Sequence, residues 1–334
     1  MPEPVVLGIE TSCDETSAAV LRGRTILSNI VLSQDEIHAP YGGVVPELAS
    51  RQHIRNIEPI VRESLDRAGI GLEEINLFAV TRGPGLIGSL LVGLCFAKGL
   101  AYYFKKPLIG INHLEAHCEA AFLENPDIPL PALALLVSGG HTSLYIIDAP
   151  LSFRILGRTR DDAAGEALDK VAKFLGLGYP GGPAIEKGAR GGDNRAFAFA
   201  LPRTKDRSLD FSFSGLKTAA LKHIREKSLT ADSPALADFL AGFEEAVARA
   251  LIRNLTAAAD ACEPRALILC GGVARNTRLR TRFHEYAGRA GLPAFVPSPR
   301  LCTDNAAMIA GLALKKFEAG ADGGSALELD AFAR

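Results

Sequence analysis

Short apolar runs alternate along the chain with polar or glycine-rich turns, and this plan occurs twice. VVLGIETSCDETSAAVL (5–21) is an apolar run, a polar turn and a second apolar run, which predicts strand, turn, strand. ALALLVSGGHTSLYIID (132–148) repeats that order with a turn of Gly, Ser and Thr. A second device also recurs. LFAVTRGPGLIGSLLVGLCFAKGL (77–100) predicts a buried strand, a glycine turn and a helix, and ALILCGGVARNTRLRTRFHEYAG (266–288) predicts the same succession. Two such pairs in matching order imply an internal duplication. Each half is a hairpin followed by strand–turn–helix units, so the expected fold class is α/β with helices on mixed sheets.

Periodicity predicts further helices over 46–69, 165–176, 234–262 and 304–320. Residues 178–231 are rich in Gly, Pro and Lys/Arg with weak periodicity, and read as an insertion into the second half. GYPGGP within it is expected to lie outside regular structure. The tail after Gly320 is Gly, Ala and acid and is expected to fray.

Composition narrows the class. At 334 residues the chain is long enough for two domains or one large one, and 48% hydrophobic with 22% charged residues excludes disorder. No run of 18 apolar residues predicts a membrane span, and the N-terminus lacks the basic and apolar segments of a signal peptide. Cys13, Cys95, Cys118, Cys262, Cys270 and Cys302 are scattered without a C-x-x-C pair, which predicts reduced thiols in the cytoplasm. The net charge of −1 means that nucleic acid could be held only by a local patch. One exists: between Lys187 and Lys227 ten Lys/Arg stand against four acids. Phe197, Phe199, Phe211 and Phe213 interleave with them and are expected to be core. Lys205, Arg207 and Lys217 are the candidate phosphate contacts. Arg275, Arg278 and Arg282 share a helical face nearby.

The chemistry-bearing stretches begin with NHLEAHCEA (112–120). On a helix, His113 and His117 stack one turn apart and could share a metal. A zinc protease needs its glutamate directly after the first histidine; here the acid is Glu115, about 200° round the helix. The pair could hold a metal but lacks the hydrolytic base, and the alternative is two histidines on an ordinary helix. Asp304, before an apolar helix, suits an N-cap or a third metal ligand. Two His and one carboxylate are the facial set of iron(II), with zinc also possible. The turns at 10–16 and 138–143 offer backbone N–H groups and hydroxyls, and Gly139, Gly140, Gly271 and Gly272 allow close approach to a ligand. Helices starting after Gly85 and Gly272 would present anion-binding N-termini. There is neither a Walker A loop nor a dinucleotide fingerprint. Asp169 could bind ribose hydroxyls, or be a solvated acid paired with a lysine.

GIETSCDET, TRGPGLIGSL, NHLEAHCEA, LLVSGGHTSL, DDAAGEALDKVAKFLGLGYPGGP, FSFSGLKTA, GGVARNTRLR and CTDNAAMIAG, in this order from about residue 5 to 317, resemble the tRNA adenosine threonylcarbamoyltransferase family of bacterial type, once labelled O-sialoglycoprotein endopeptidases. The resemblance implies two duplicated actin/Hsp70/sugar-kinase-like (ribonuclease H-like) domains with an interdomain cleft. The lobes would be 1–112 with 305–334, and 113–304 carrying the basic insertion 178–231. It implies transfer of a threonylcarbamoyl group from threonylcarbamoyl-adenylate to the exocyclic amine of the adenosine 3′ of the anticodon, in tRNAs reading codons that start with A, with AMP released. By resemblance, His113, His117 and Asp304 are ligands of one divalent metal, iron(II) foremost. Leu136, Val137, Ser138, Gly139 and Gly140 form the nucleotide loop. Asp169, Gly182 and Asn276 contact the adenylate, as does Glu186, where some members carry aspartate. Asp14 and Glu15 are acids needed for transfer. The implied partners are the tRNA anticodon loop, a smaller paralogous subunit and a P-loop ATPase, with no membrane. A metalloprotease, a sugar or acetate kinase and a non-catalytic scaffold are the rivals. The misplaced Glu115 opposes the first, and the two-histidine set is superfluous to the other two.

Overall fold

The structure is a computed structural model that describes residues 3–201, 208–321 and 328–333. Arg203, Lys205, Asp206 and Arg207 of the basic stretch lie outside the described residues. The chain divides into two compact units, Met1–Pro126 with Thr303–Arg334, and Asp127–Cys302.

In the first unit, β1 (Val5–Glu10), β2 (Glu15–Arg22) and β3 (Thr25–Ser33) form an antiparallel meander. A short helix α1 (Asp35–His38) and the long α2 (Pro46–Ala68) follow, then β4 (Leu77–Gly83), α3 (Ile87–Phe104), β5 (Leu108–Asn112) and α4 (His113–Glu124). The strand order is β3-β2-β1-β4-β5, with β4 parallel to β1 and β5 parallel to β4. Every residue of β1 is buried, which is why VVLGIE carries no alternation: a strand covered on both faces is apolar on both. The helix α3 is long and apolar enough to cross a membrane by length and composition. Leu90, Gly93, Leu94, Ala97 and Ala101 are buried along one face of it, which packs on β4 and α2, while Ile87, Leu91, Tyr102 and Tyr103 are exposed.

The second unit repeats the plan. β6 (Ala132–Val137), β7 (Thr142–Ala149) and β8 (Ser152–Arg158) are antiparallel. Helices α5 (Ala164–Phe174), α6 (Gly181–Gly188), α7 (Ser214–Glu226) and α8 (Leu236–Cys262) precede β9 (Ala266–Cys270), α9 (Thr277–Ala290), β10 (Ala294–Phe295) and α10 (Pro299–Cys302). The strand order is β10-β9-β6-β7-β8, with β9 parallel to β6 and β10 parallel to β9. Strand for strand this is the topology of the first unit, so the duplication visible in the sequence is structural. Two mixed sheets flanked by helices make an α/β fold of the actin/Hsp70/sugar-kinase type.

Two expectations change. GYPGGP is not wholly irregular, because Gly181, Gly182 and Pro183 form the first turn of α6. A proline there is harmless, since the first N–H groups of a helix have no partner in it. The stretch 178–231 thus contains α6 and α7, and its phenylalanines are core: Phe211 and Phe213 are buried, and Phe197 and Phe199 pack on Phe239. The unit boundaries also move, from 112/113 to 126/127 and from 304/305 to 302/303. The cause is α11 (Ala306–Glu318), which packs on α4. Gly311 leaves room for the Leu123 side chain, and the Lys315 ammonium lies 2.6 Å from the buried Glu119 carboxylate.

Candidate functional site

The end of β5 starts the site. Asn112 Oδ1 accepts from the N–H groups of Leu114 (2.9 Å) and Glu115 (3.2 Å), which caps α4 and makes His113 its first residue. His117 follows one turn later, its ring edge-on to His113 with centroids 4.6 Å apart. Asp304 arrives from the segment before α11. It is not the cap of that helix. Asn305 is, accepting from Met308 N–H at 3.1 Å, so the Asp304 carboxylate is left for other work. Its Oδ1 lies 3.1 Å from His117 Nε2 and 3.5 Å from His113 Nε2. The three ligand atoms all lie within 4.8 Å of one another, close enough to share one ion.

Behind His113 stands Glu10, fully buried at the last position of β1. Its Oε2 is 3.0 Å from His113 Nδ1 and accepts from Thr81 Oγ1 at 2.5 Å, while Oε1 accepts from the Ser12 N–H at 2.5 Å. Nδ1 therefore serves as donor to a carboxylate and Nε2 points at Asp304, the outer-shell arrangement of a metal-bound histidine. His117 Nδ1 is buried and has no hydrogen-bond partner among the described residues.

The electrostatics fit a cation. Burial opposes charge on Asp304, yet the two imidazoles hold its carboxyl well below the usual range. Burial likewise opposes charge on Glu10, and His113 outweighs it, so this carboxyl is also lowered. Burial disfavours a charged His113, but Asp304 and Glu10 push it well above an ordinary histidine, whereas burial draws His117 down. Two carboxylates thus face one imidazolium, and a divalent cation would take the place of its proton. Glu115 is turned elsewhere, its carboxylate 3.4 Å from the Lys316 ammonium on α11, so the geometry of a zinc protease is not formed.

Asp14 and Glu15 sit at the β1–β2 turn of the same unit. Burial, with Asp304, Asp14 and Asp35 adding negative charge, pushes the Glu15 carboxyl well above the usual range.

The other predicted residues lie in the second unit. Leu136 and Val137 end β6, and Ser138, Gly139 and Gly140 form the turn to β7. Leu136 pairs with Cys270, so this turn and the one after β9 emerge side by side at the carboxyl ends of parallel strands, where α/β sheets bind ligands. Gly139, Gly140 and Gly272 face open space, and a Cβ on any of them would meet nothing within 4 Å. The tight packing is at Gly165 and Gly271. A Cβ on Gly165 would lie 2.6 Å from the Ser138 carbonyl oxygen, and one on Gly271 (φ +91°) 2.4 Å from that of Val137. Asp169 Oδ1 accepts from the Gly181 N–H at 2.8 Å, capping α6, while Lys170 pairs with Asp162 and Glu166 instead. Gly182 and Glu186 share α6, and Glu186 Oε1 accepts from the Thr277 N–H at 3.2 Å. Asn276 caps α9 through Leu279 N–H (2.9 Å) and donates to the buried Glu244 at 2.6 Å. Glu186 and Asn276 therefore meet at the N-terminus of α9, with the carboxylate 3.5 Å from the amide nitrogen.

Residues 25–311 match the family described as tRNA N6-adenosine threonylcarbamoyltransferase (TsaD). The chain is 53% identical over 310 residues to the tRNA N6-adenosine threonylcarbamoyltransferase of Anaeromyxobacter dehalogenans, covering 91% of this chain and 92% of that one. It is 49% identical over 320 residues to that of Syntrophobacter fumaroxidans, covering 94% of each. The chain belongs to the tRNA N6-adenosine threonylcarbamoyltransferase family. It is a transferase of tRNA modification. Two solved structures share its fold: T. kodakarensis HypF (TM-score 0.62, 15% identity, 95% of this chain and 48% of that one) and the ROK hexokinase of Thermus thermophilus (TM-score 0.50, 15% identity, 96% and 100%).

For a member of this threonylcarbamoyltransferase family, sequence reasoning missed Glu10, Thr81, Gly165 and Glu244. The one signal for Glu10 is a carboxylate closing an otherwise apolar strand. The basic patch is also more occupied than its charge count implies. Lys217 lies 2.5 Å from Asp162, which leaves it as an internal ion pair. Arg282 lies 2.6 Å from Glu245, and Arg278 is 3.8 Å from the same residue. Arg278 and Arg282 thus pair with acids of α8, while Arg275 is exposed and stands before α9, off the helical face expected for it.

Proposed function

We propose that this transferase moves a threonylcarbamoyl group from threonylcarbamoyl-adenylate to the N6 amine of the adenosine 3′ of the anticodon, in tRNAs reading codons that start with A. The reading is supported most by the convergence of His113, His117 and Asp304, with Glu10 fixing the first imidazole. In it, those three residues hold one divalent cation, iron(II) in preference to zinc by the facial two-histidine, one-carboxylate chemistry. When bound, that ion supplies Lewis acidity or a template for the donor.

The residues of the chain do the rest. An aromatic amine is a weak nucleophile, so the acyl donor must be activated, and the mixed carbamoyl–phosphate anhydride is. Leu136, Val137, Ser138, Gly139 and Gly140 cradle the adenylate through main-chain groups, and Asp169, Gly182, Glu186 and Asn276 orient it. Asp169 and Glu186 each already accept a backbone N–H, which fixes their rotamers before the ligand arrives. The amine nitrogen attacks the carbamoyl carbon, the carbon–oxygen bond to phosphate breaks, and AMP leaves with the electron pair. Glu15, whose proton affinity is raised by burial and neighbouring acids, takes the proton of the amine, and Asp14 orients it. The anticodon loop is single-stranded, so its adenine is extruded at little cost.

The working assembly in this reading includes a smaller paralogous subunit and a P-loop ATPase. The place of work is the cytoplasm, where unmodified tRNA occurs, and the six cysteines are free thiols. The test supplies threonylcarbamoyl-adenylate and unmodified tRNA to the protein, with and without partner proteins, and measures the modified nucleoside by mass spectrometry. Absence of product under both conditions would overturn the proposal, as would protease activity of the metal-loaded chain.

A further inference from the structure

Asp14 ends the β1–β2 turn and Glu15 opens β2, paired with Ser33, and turns are ordinarily the least constrained parts of a fold. This one is gripped from below. His53, on α2, is completely buried. Its Nε2 lies 2.9 Å from the carbonyl oxygen of Cys13, the residue before Asp14. Its Nδ1 lies 2.8 Å from the hydroxyl of Thr16, the residue after Glu15. A carbonyl oxygen can only accept, so Nε2 carries the proton and Nδ1 is the acceptor for the Thr16 hydroxyl. The imidazole thus spans the acid pair, holding the chain immediately before it and immediately after it.

The grip continues outward. The Gln34 amide nitrogen lies 3.5 Å from His53 Nδ1, and its backbone N–H donates to the Asp14 carbonyl at 3.1 Å. Gln34 Oε1 accepts from His38 Nε2 at 3.2 Å, and His38 Nδ1 accepts from the Val45 N–H at 3.3 Å, one residue before α2 begins. Gln34 and His38 are buried too. The single lone pair of Nδ1 is taken by the Thr16 hydroxyl at the shorter distance, and the Gln34 amide closes the pocket beside it. Burial also holds His53 below an ordinary histidine, in keeping with its role as an acceptor. The clamp has a geometric use, since it fixes the backbone on both sides of the two acids.

We propose that His53 is a positioning residue for threonylcarbamoyl transfer, clamping Cys13 and Thr16 so that Asp14 and Glu15 are held at the incoming amine. It touches neither substrate nor cation and acts through the turn. The proposal rests on the reading of Asp14 and Glu15 as the acids of transfer.

The test uses the full-length chain with threonylcarbamoyl-adenylate and unmodified tRNA, and with whatever partner proteins the wild type requires. The variants are Thr16→Val, His53→Gln and His53→Leu, with Asp14→Asn and Glu15→Gln alongside. Thr16→Val removes one hydrogen bond while preserving side-chain shape, so it keeps the question open if His53→Leu fails to fold. His53→Gln keeps a donor for the Cys13 carbonyl and loses the Nδ1 acceptor. Misplacing a reacting group by an ångström costs on the order of 100-fold. We expect a kcat loss of about that size in His53→Leu and roughly 10-fold in Thr16→Val and His53→Gln. KM for both substrates should stay within about twofold and the metal content should be unchanged, because nothing that binds substrate has been removed. The double variant Thr16→Val/His53→Leu should be no worse than His53→Leu, since both changes open one clamp. Wild-type kcat in Thr16→Val and His53→Leu, while Asp14→Asn and Glu15→Gln are dead, would overturn the clamp alone. So would a loss that follows the metal content or KM. Full activity in Asp14→Asn and Glu15→Gln would overturn the reading of the acids, and the clamp with it.

Discussion

The two units share a five-stranded topology, and their hairpin turns carry different groups. Even a fine packing detail is common to both. A Cβ on Gly85, after β4, would lie 2.5 Å from the Ser12 carbonyl oxygen in the β1–β2 turn, and one on Gly271, after β9, 2.4 Å from that of Val137 at the β6–β7 turn. In each unit a glycine turn presses against the hairpin turn beside it. The hairpin turns differ. That of the first unit is T-S-C-D-E, packed over buried Glu10, His53 and Gln34, and its functional groups are side chains. That of the second is S-G-G-H, with Gly139 and Gly140 exposed, and it offers main chain. One duplicated scaffold thus carries buried carboxylates and imidazoles at one turn and exposed glycines at the other. The lesson is that the sheet fixes where the turns emerge, and a few residues at each turn decide whether it presents side chain or backbone.

This division can be tested at four places, in order of expected effect. Asp304→Ala or His113→Ala removes a ligand from the first unit. Each should abolish stoichiometric metal, read by elemental analysis, and lower transfer by at least about 100-fold. Full transfer without metal would end the claim that the first unit's chemistry is metal-centred. Glu10→Gln keeps every ligand and changes only the partner of His113 Nδ1. Metal affinity should fall by roughly 10- to 100-fold, measured by competition with a chelator, and an unchanged affinity would show Glu10 to be structural.

In the second unit the matching probe is backbone shape. Gly271→Ala places a side chain at φ +91° against the Val137 carbonyl, and should cost about 1–3 kcal/mol, seen as a lowered denaturation midpoint. Metal content should not change, and a loss of metal in this variant would blur the division. The smallest effect concerns Asp162. Its burial opposes ionisation, but hydrogen bonds from Lys170 and Lys217 hold its carboxyl below the usual range. A depressed carboxylate stabilises above its unfolded pKa, near 3.9, and that contribution fades as pH falls through the lower folded value. Asp162→Asn should therefore be less stable than wild type at neutral pH, by about 1 kcal/mol or less since both lysines reach solvent, and the gap should close as pH falls through the lowered folded value. A gap that persists in acid would mean that lost packing, not charge, is the cause.

The parts of this molecule that were legible in the sequence are those written in local pattern. The hairpins, the strand–turn–helix units and the His113–His117 spacing depend on neighbours within a few residues, and they stand where periodicity puts them. What escaped depends on contacts distant in sequence. Asp304 looks like a helix cap until Asn305 is seen to do the capping. Glu10 is 103 positions from His113 and hidden at the end of an apolar run. The α6 helix was masked by glycines and prolines, which suit a first turn as well as a loop. Lys217 counts as positive charge in sequence and proves to be bound to Asp162. Charge counts report how many groups exist and say nothing about which already have partners.

The most direct test of the whole account is a single reaction. Wild-type protein and Asp304→Ala, each with the partner proteins that the wild type requires, are incubated with threonylcarbamoyl-adenylate and unmodified tRNA, and the digested nucleosides are weighed by mass spectrometry. The account predicts threonylcarbamoyladenosine with equimolar AMP from the wild type and neither from a folded, metal-free Asp304→Ala. A variant as active as the wild type would contradict it, as would a metal-loaded wild type that leaves the adenosine untouched.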